Sequence, residues 1–183
     1  ITHIPEEAIP TKNLQWFIVT DNALTEVPAA LGQCRKLQKL MLAGNQLTTL
    51  PASMANCEAL ELLRISANQF NELPQWLFNL PKLTWLAYAG NPFSTAIEAA
   101  HMQQHKVLEI DWSALTLGKV LGQGASGTSY QADWHHDGTV EAVAVKLFKS
   151  GLTSDGLPVC EMHANVIAGE HQNLVGVKGV INN

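Results

Sequence analysis

The chain has 183 residues, 46% of them hydrophobic and 15% charged, which is enough apolar material for one large core or two small ones and excludes disordered and fibrous classes. Eleven Lys and Arg against sixteen Asp and Glu leave a formal charge of -5, with a small negative balance in both halves, so a nucleic-acid surface is not expected. Cys34, Cys57 and Cys160 form no CxxC pair, which argues against a disulfide framework or a zinc site and for a reducing compartment. No stretch approaches the roughly eighteen consecutive apolar residues of a membrane-spanning helix.

Asn22, Asn45, Asn68 and Asn91 stand 23 residues apart. Leu14, Leu37, Leu60 and Leu83 keep the same period, as do Phe17, Leu40, Leu63 and Leu86, then Leu24, Leu47, Phe70 and Phe93, with Pro28, Pro51 and Pro74 following. The unit L-x-x-L-x-L-x-x-N-x-L-x-x-L-P resembles a leucine-rich repeat of the LP-containing kind, which implies an α/β solenoid. Ile1, Ile4 and Pro5 fit the tail of an earlier unit, so the natural protein is expected to extend beyond Ile1. Alternation at Leu40 and Leu42, and at Leu63 and Ile65, predicts short parallel strands with these side chains inward. In the family, each Asn satisfies main-chain groups of neighbouring turns that would otherwise be buried unpaired.

Cys34 and Cys57 share a column with Leu80 and read as small buried hydrophobes with inert thiols. Residues 95–105 have helical composition and read as the cap that hides the last hydrophobic face of a solenoid. His101 and His105 would share a helix face, but no third ligand accompanies them and a surface or packing role is expected. Outward strand positions carry Trp16, Ile18, Met41, Leu62, Arg64 and Trp85, an apolar strip that predicts a protein partner on the concave face. The alternative is that missing N-terminal repeats or the second domain fold over the strip.

From Asp111 a different pattern begins. Leu115–Leu121 reads as a strand, Gly122-Gln-Gly124-Ala-Ser-Gly127 as a loop, Thr128–Trp134 as a second strand, residues 135–138 as a turn and Thr139–Val145 as a third strand. A P-loop would require Lys-Ser/Thr after Gly127, and a dinucleotide fold would require a helix there; the sequence has neither. A glycine loop between antiparallel strands, then Val143-Ala144-Val145-Lys146, resembles the start of a protein kinase. That resemblance implies ATP binding at Leu121, Gly122, Gly124, Gly127 and Ala144, with Lys146 on the α- and β-phosphates. It also implies a helical Glu orienting the lysine.

Residues 155–169 read as that helix, with Asp155 in its first turn, Pro158 at an early position and Gly169 as its stop. Glu161 is the chosen partner of Lys146, and Glu170 the second choice. His171-Gln-Asn-Leu-Val resembles the entry to strand four of tyrosine-kinase-like kinases. Ser129 departs from the pattern, since kinases usually place Val there against the purine. Each feature taken alone also fits an idle hairpin loop with Lys146 extended into solvent.

The expectation is thus a leucine-rich repeat domain over 1–105, a linker over 106–111, and an incomplete α+β kinase N-lobe over 112–183. That lobe would hold an antiparallel sheet of strands one to four and one helix. The catalytic pair would be Lys146 and Glu161, and the cofactor ATP with magnesium, whose ligands in the family lie on later loops. With those loops missing, the 183-residue chain is expected to be inactive alone. The function expected of the parent is phosphorylation of protein hydroxyls in the cytoplasm; a non-catalytic scaffold or pseudokinase is the alternative.

Overall fold

The computed structural model describes residues 1–104, 107–124, 126–149, 151–152, 156–169 and 171–181, with the backbone alone for 101–104. Asp155 and Glu170 lie outside the described residues, as does His105 of the histidine pair. The chain divides into two compact units, Ile1–Ile97 with Ser154–Leu157, and Glu98–Thr153 with Pro158–Asn183.

The first unit is the repeat. Strands β1 (Trp16–Ile18), β2 (Lys39–Met41), β3 (Leu62–Arg64) and β4 (Trp85–Ala87) form one parallel sheet in chain order. Its register follows the sequence period, with Trp16, Lys39, Leu62 and Trp85 in one row and Ile18, Met41, Arg64 and Ala87 in the next. Short 3-10 turns at Ala29–Gln33, Ala52–Asn56 and Gln75–Asn79 each follow a proline, whose fixed φ and missing N–H suit a helix start. Between sheet and turns lies a continuous core in which Leu24, Leu37, Leu40, Leu42, Leu47, Leu60, Leu63, Ile65 and Phe70 are fully buried.

The asparagines form the predicted ladder. Asn45 Oδ1 accepts the N–H of Leu24 at 3.0 Å, while Nδ2 donates to the carbonyls of Val19 and Leu42. Asn68 repeats this with Leu47, Leu42 and Ile65, and Asn91 with Phe70, Ile65 and Tyr88. The terminal amine of Ile1, 23 residues before Leu24, takes the same place on Asn22. Each Asn is preceded by a residue with positive φ: Asp21 (57°), Gly44 (69°), Ala67 (51°) and Gly90 (74°). The chain leaves every strand through a left-handed residue, which aims the asparagine inward.

Helix α1 (Pro92–Gln104) starts three residues earlier than its composition predicts, with proline at its first position. The Asn91 side chain is used in the ladder and leaves only the other half of a capping box, in which Ser94 Oγ accepts the Asn91 N–H. Ser94 is buried while Thr95–Ile97 are exposed. The boundary between units therefore falls inside α1, not after residue 105.

The second unit holds an antiparallel sheet in the order β6 (Leu115–Gln123), β7 (Gly127–His136) and β8 (Thr139–Phe148). Asp137 and Gly138, both at positive φ, close the β7–β8 hairpin as a two-residue turn that matches strand twist. Helix α2 runs from Pro158 to Ala168 and stops at Gly169, whose φ of 66° suits a left-handed C-cap.

Two expectations fail here. Residues 171–179 form no strand, and β9 (Val180–Ile181) pairs in parallel with β5 (Glu109–Ile110) instead of extending the antiparallel sheet. A turn in which the Leu174 N–H donates to the His171 carbonyl, and glycines at 176 and 179, break up this segment. A side chain on Gly179 would meet the Leu108 carbonyl at 2.5 Å, so only glycine permits the β5 contact. Residues 109–110, expected in the linker, are consequently a strand, and Asp111 accepts the Ser113 N–H to cap the turn after it.

Candidate functional site

Two groups of residues invite a functional reading. The first is the outer face of β1–β4. Trp16, Ile18 and Trp85 are each more than half exposed, at 56%, 54% and 52%, whereas Met41, Leu62 and Arg64 are half-buried between them. Two cations are held over indoles: Lys39 Nζ lies 4.3 Å from the Trp16 ring centre, and the Arg64 guanidinium 5.9 Å from that of Trp85. Arg64 Nη1 also reaches the Met41 sulfur at 3.9 Å. Ala43 and Ser66, the next outward positions, are fully buried and narrow the strip to two rows.

The second group lies in the antiparallel sheet and α2. The Lys146 ammonium, near the end of β8, donates to the Glu161 carboxylate in the first turn of α2. Both side chains are about one-third exposed, at 36% and 33%, and Lys146 also lies over the Phe148 ring. Opposite Lys146 in register stands Ser129, which in turn faces Gly122.

The three glycines of the loop do different work. A side chain at Gly122 or Gly124 would meet nothing within 4 Å, so their backbone is open to a close approach. At Gly127 a Cβ would sit 2.3 Å from the Leu147 carbonyl, so β7–β8 packing by itself requires glycine there. The loop is closed on itself: the Gly124 N–H donates to the Gly127 carbonyl at 2.9 Å, and Lys149 Nζ donates to the Gly124 carbonyl at 2.9 Å. Leu121 and Ala144 are exposed.

Comparison with known families separates the two groups. The family model for leucine-rich repeats matches residues 12–70 and again 35–93, which together span all four strands of the parallel sheet. Residues 12–93 are leucine-rich repeats. No curated protein matches the chain.

In the leucine-rich repeats the cysteines are buried. The Cys57 thiol is pushed up to about 11, by burial first and by neighbouring Cys34 second, and burial raises Cys34 as well. Their sulfurs donate to the carbonyls of Leu31 and Ala30. A thiol held protonated and enclosed is a poor nucleophile, so these positions serve packing. Leucine-rich repeats typically bind protein partners, and on these repeats Trp16, Ile18 and Trp85 of the outer face are exposed. The sequence places Lys39 among the outward strand positions but gives no reason to count it with the six binding candidates, since its placement over Trp16 depends on the indole one strand away. Sequence reading missed Lys149, because an alternating strand pattern says nothing about which loop a terminal lysine will reach.

Proposed function

We propose that this chain joins a partner-binding leucine-rich-repeat solenoid to the nucleotide-gripping part of an ATP-dependent protein kinase. The observation that carries the reading is the ion pair between Lys146 and Glu161, set beside a glycine loop that joins two antiparallel strands. A lysine held by a carboxylate is oriented without being buried, which suits a group that grips phosphate. The open backbone at Gly122 and Gly124 supports the same reading, since phosphates need approach without side chains in the way. When bound, ATP with magnesium would supply the γ-phosphoryl group for transfer to a protein hydroxyl. Lys146 and the loop would position its phosphates, and Leu121 and Ala144 would cover the adenine.

The repeats would choose the protein to be modified through Trp16, Ile18, Met41, Leu62, Arg64 and Trp85. A cytoplasmic setting agrees with three free cysteines. The reading is tested by following the backbone amides of Gly122 and Gly124 during titration with millimolar Mg-ATP and, separately, adenosine. ATP should shift both signals and Lys146→Met should abolish the shift; silence at both glycines would remove the kinase reading. In protein carrying the complete catalytic lobe, Lys146→Met should end phosphoryl transfer while partner capture survives. Met41→Glu should do the reverse.

Ser129 supports a second reading. A small polar side chain in place of Val forfeits part of the roughly 1.5 to 3 kcal/mol that a buried aliphatic group contributes against a purine. A scaffold that binds partners through its repeats and has given up catalysis would tolerate that loss. Transfer activity in protein with a complete catalytic lobe would eliminate this alternative.

A further inference from the structure

We propose that the outer face of β1–β4 recognises a short acidic peptide segment flanked by apolar residues; the inference rests on the partner-binding reading and specifies its chemistry. The two rows of this face hold eight residues: Trp16, Lys39, Leu62 and Trp85, then Ile18, Met41, Arg64 and Ala87. Two are cations and none is an anion; the nearest acidic residues in sequence, Asp21 and Glu61, fall outside the rows.

Both cations are placed against indoles, Lys39 at 4.3 Å and Arg64 at 5.9 Å. An aromatic face holds an ammonium in position through its quadrupole but carries no net charge, so it does not neutralise it. Among the described residues Lys39 meets no carboxylate. A positive charge fixed in an apolar setting, with part of its water stripped by Trp16, favours a carboxylate over any neutral group.

Size sets the rest. Three strand spacings separate Trp16 from Trp85, roughly 14 Å, which an extended peptide covers in about four or five residues. Such a segment would set apolar side chains on the indoles at its ends and a carboxylate on Lys39 between them. Met41 and Leu62 form the apolar floor beneath it.

The experiment selects binders of the immobilised 183-residue chain from a display library of random peptides, then titrates synthetic winners against wild-type and variant protein. Enriched peptides should carry Asp or Glu within a residue or two of an aliphatic or aromatic side chain. Lys39→Met should weaken them about tenfold or more, Lys39→Arg should preserve most of the affinity, and added salt should weaken wild type more than Lys39→Met. Winners without acidic residues that are lost on Trp85→Ala would overturn the acidic chemistry and leave the face as a binding surface. Winners indifferent to Trp16→Ala and Trp85→Ala, or no enrichment at all, would overturn both. Binding of anionic phospholipid vesicles through the same residues, with no peptide selected, would assign the face to a membrane and end the proposal. Melting curves for each variant separate lost binding from lost folding.

Discussion

The leucine-rich repeats and the antiparallel sheet with α2 solve the burial problem differently. In the repeats one column of side chains after another reaches zero exposure, and each asparagine closes the polar groups of two turns at once. Among the described residues of the second unit, buried hydrophobic ones are few: Ala132, Trp134, Val145 and Val166, each retaining a little exposure. Val120, Leu121, Val140 and Leu174 stand more than half exposed there, and Val175 almost fully. Periodic stacking lets every unit use its neighbour as a lid, whereas a three-stranded sheet with one helix has two faces and too little to cover them. Burial therefore favours the repeat as the more stable of the two units.

Phe70→Ala should show the largest effect. Phe70 is the largest fully buried side chain, and its loss should cost the repeat about 3 to 5 kcal/mol through transfer and cavity terms together. Calorimetry should show the repeat transition moving down while that of the sheet stays put. If both moved together, the difference in stability between the two units would be fictitious.

The glycine loop sharpens the contrast from the other side. Gly127→Ala drives a methyl into the Leu147 carbonyl, where backbone cannot yield cheaply, and should destabilise the sheet by about 1 to 3 kcal/mol or more. Gly122→Ala meets open space and should leave stability nearly unchanged while weakening any ligand that approaches there. Equal destabilisation by both, read from denaturant midpoints, would mean the loop has no vacant side.

Asn45→Leu tests the ladder. It orphans the Leu24 N–H in the interior, while the carbonyls of Val19 and Leu42 keep the side chains of Asn22 and Asn68, at a cost of about 1 to 3 kcal/mol. An unchanged thermal midpoint would show that water can replace the side chain. Glu161→Gln, by contrast, breaks a pair that is one-third exposed and should cost less than about 1 kcal/mol. The response of the glycine amides to ATP should nevertheless disappear. A larger stability loss without any ATP effect would make the pair a structural one.

Much of this was legible in the sequence because residue identity itself repeats. Asparagine, leucine and proline at a period of 23 define the strands, the ladder and the starts of the turns. The hairpin was legible from Gly138 and the strand from Val143–Val145, but the turn expected over 135–138 is only Asp137-Gly138, because β7 runs on through His136. Strand four was misread because a likeness at His171–Val175 says nothing about the glycines that follow, and those glycines decide the backbone. The boundary of the first unit at Ile97 was hidden by a helix that runs through it. Gly127 was grouped with Gly122 and Gly124, since a motif cannot tell a glycine needed for packing from one open to a ligand.

The left-handed position before each asparagine was hidden for another reason: its residues, Asp21, Gly44, Ala67 and Gly90, share no side-chain chemistry. What they share is a backbone angle, and only two of the four are glycine. Ala67, at φ 51°, has its Cβ near the carbonyl oxygen that disfavours this region by roughly 1 to 2 kcal/mol for L-residues. Glycine removes that strain but is more flexible in the unfolded chain, which costs about 0.5 to 1 kcal/mol. The strain outweighs the entropy, so Ala67→Gly should stabilise the repeat by up to about 1 kcal/mol, a small gain where a glycine usually weakens structure. A lower denaturant midpoint in that variant would mean that the methyl contributes packing worth more than the strain it causes, and that the uniform exit from the strands owes nothing to backbone preference.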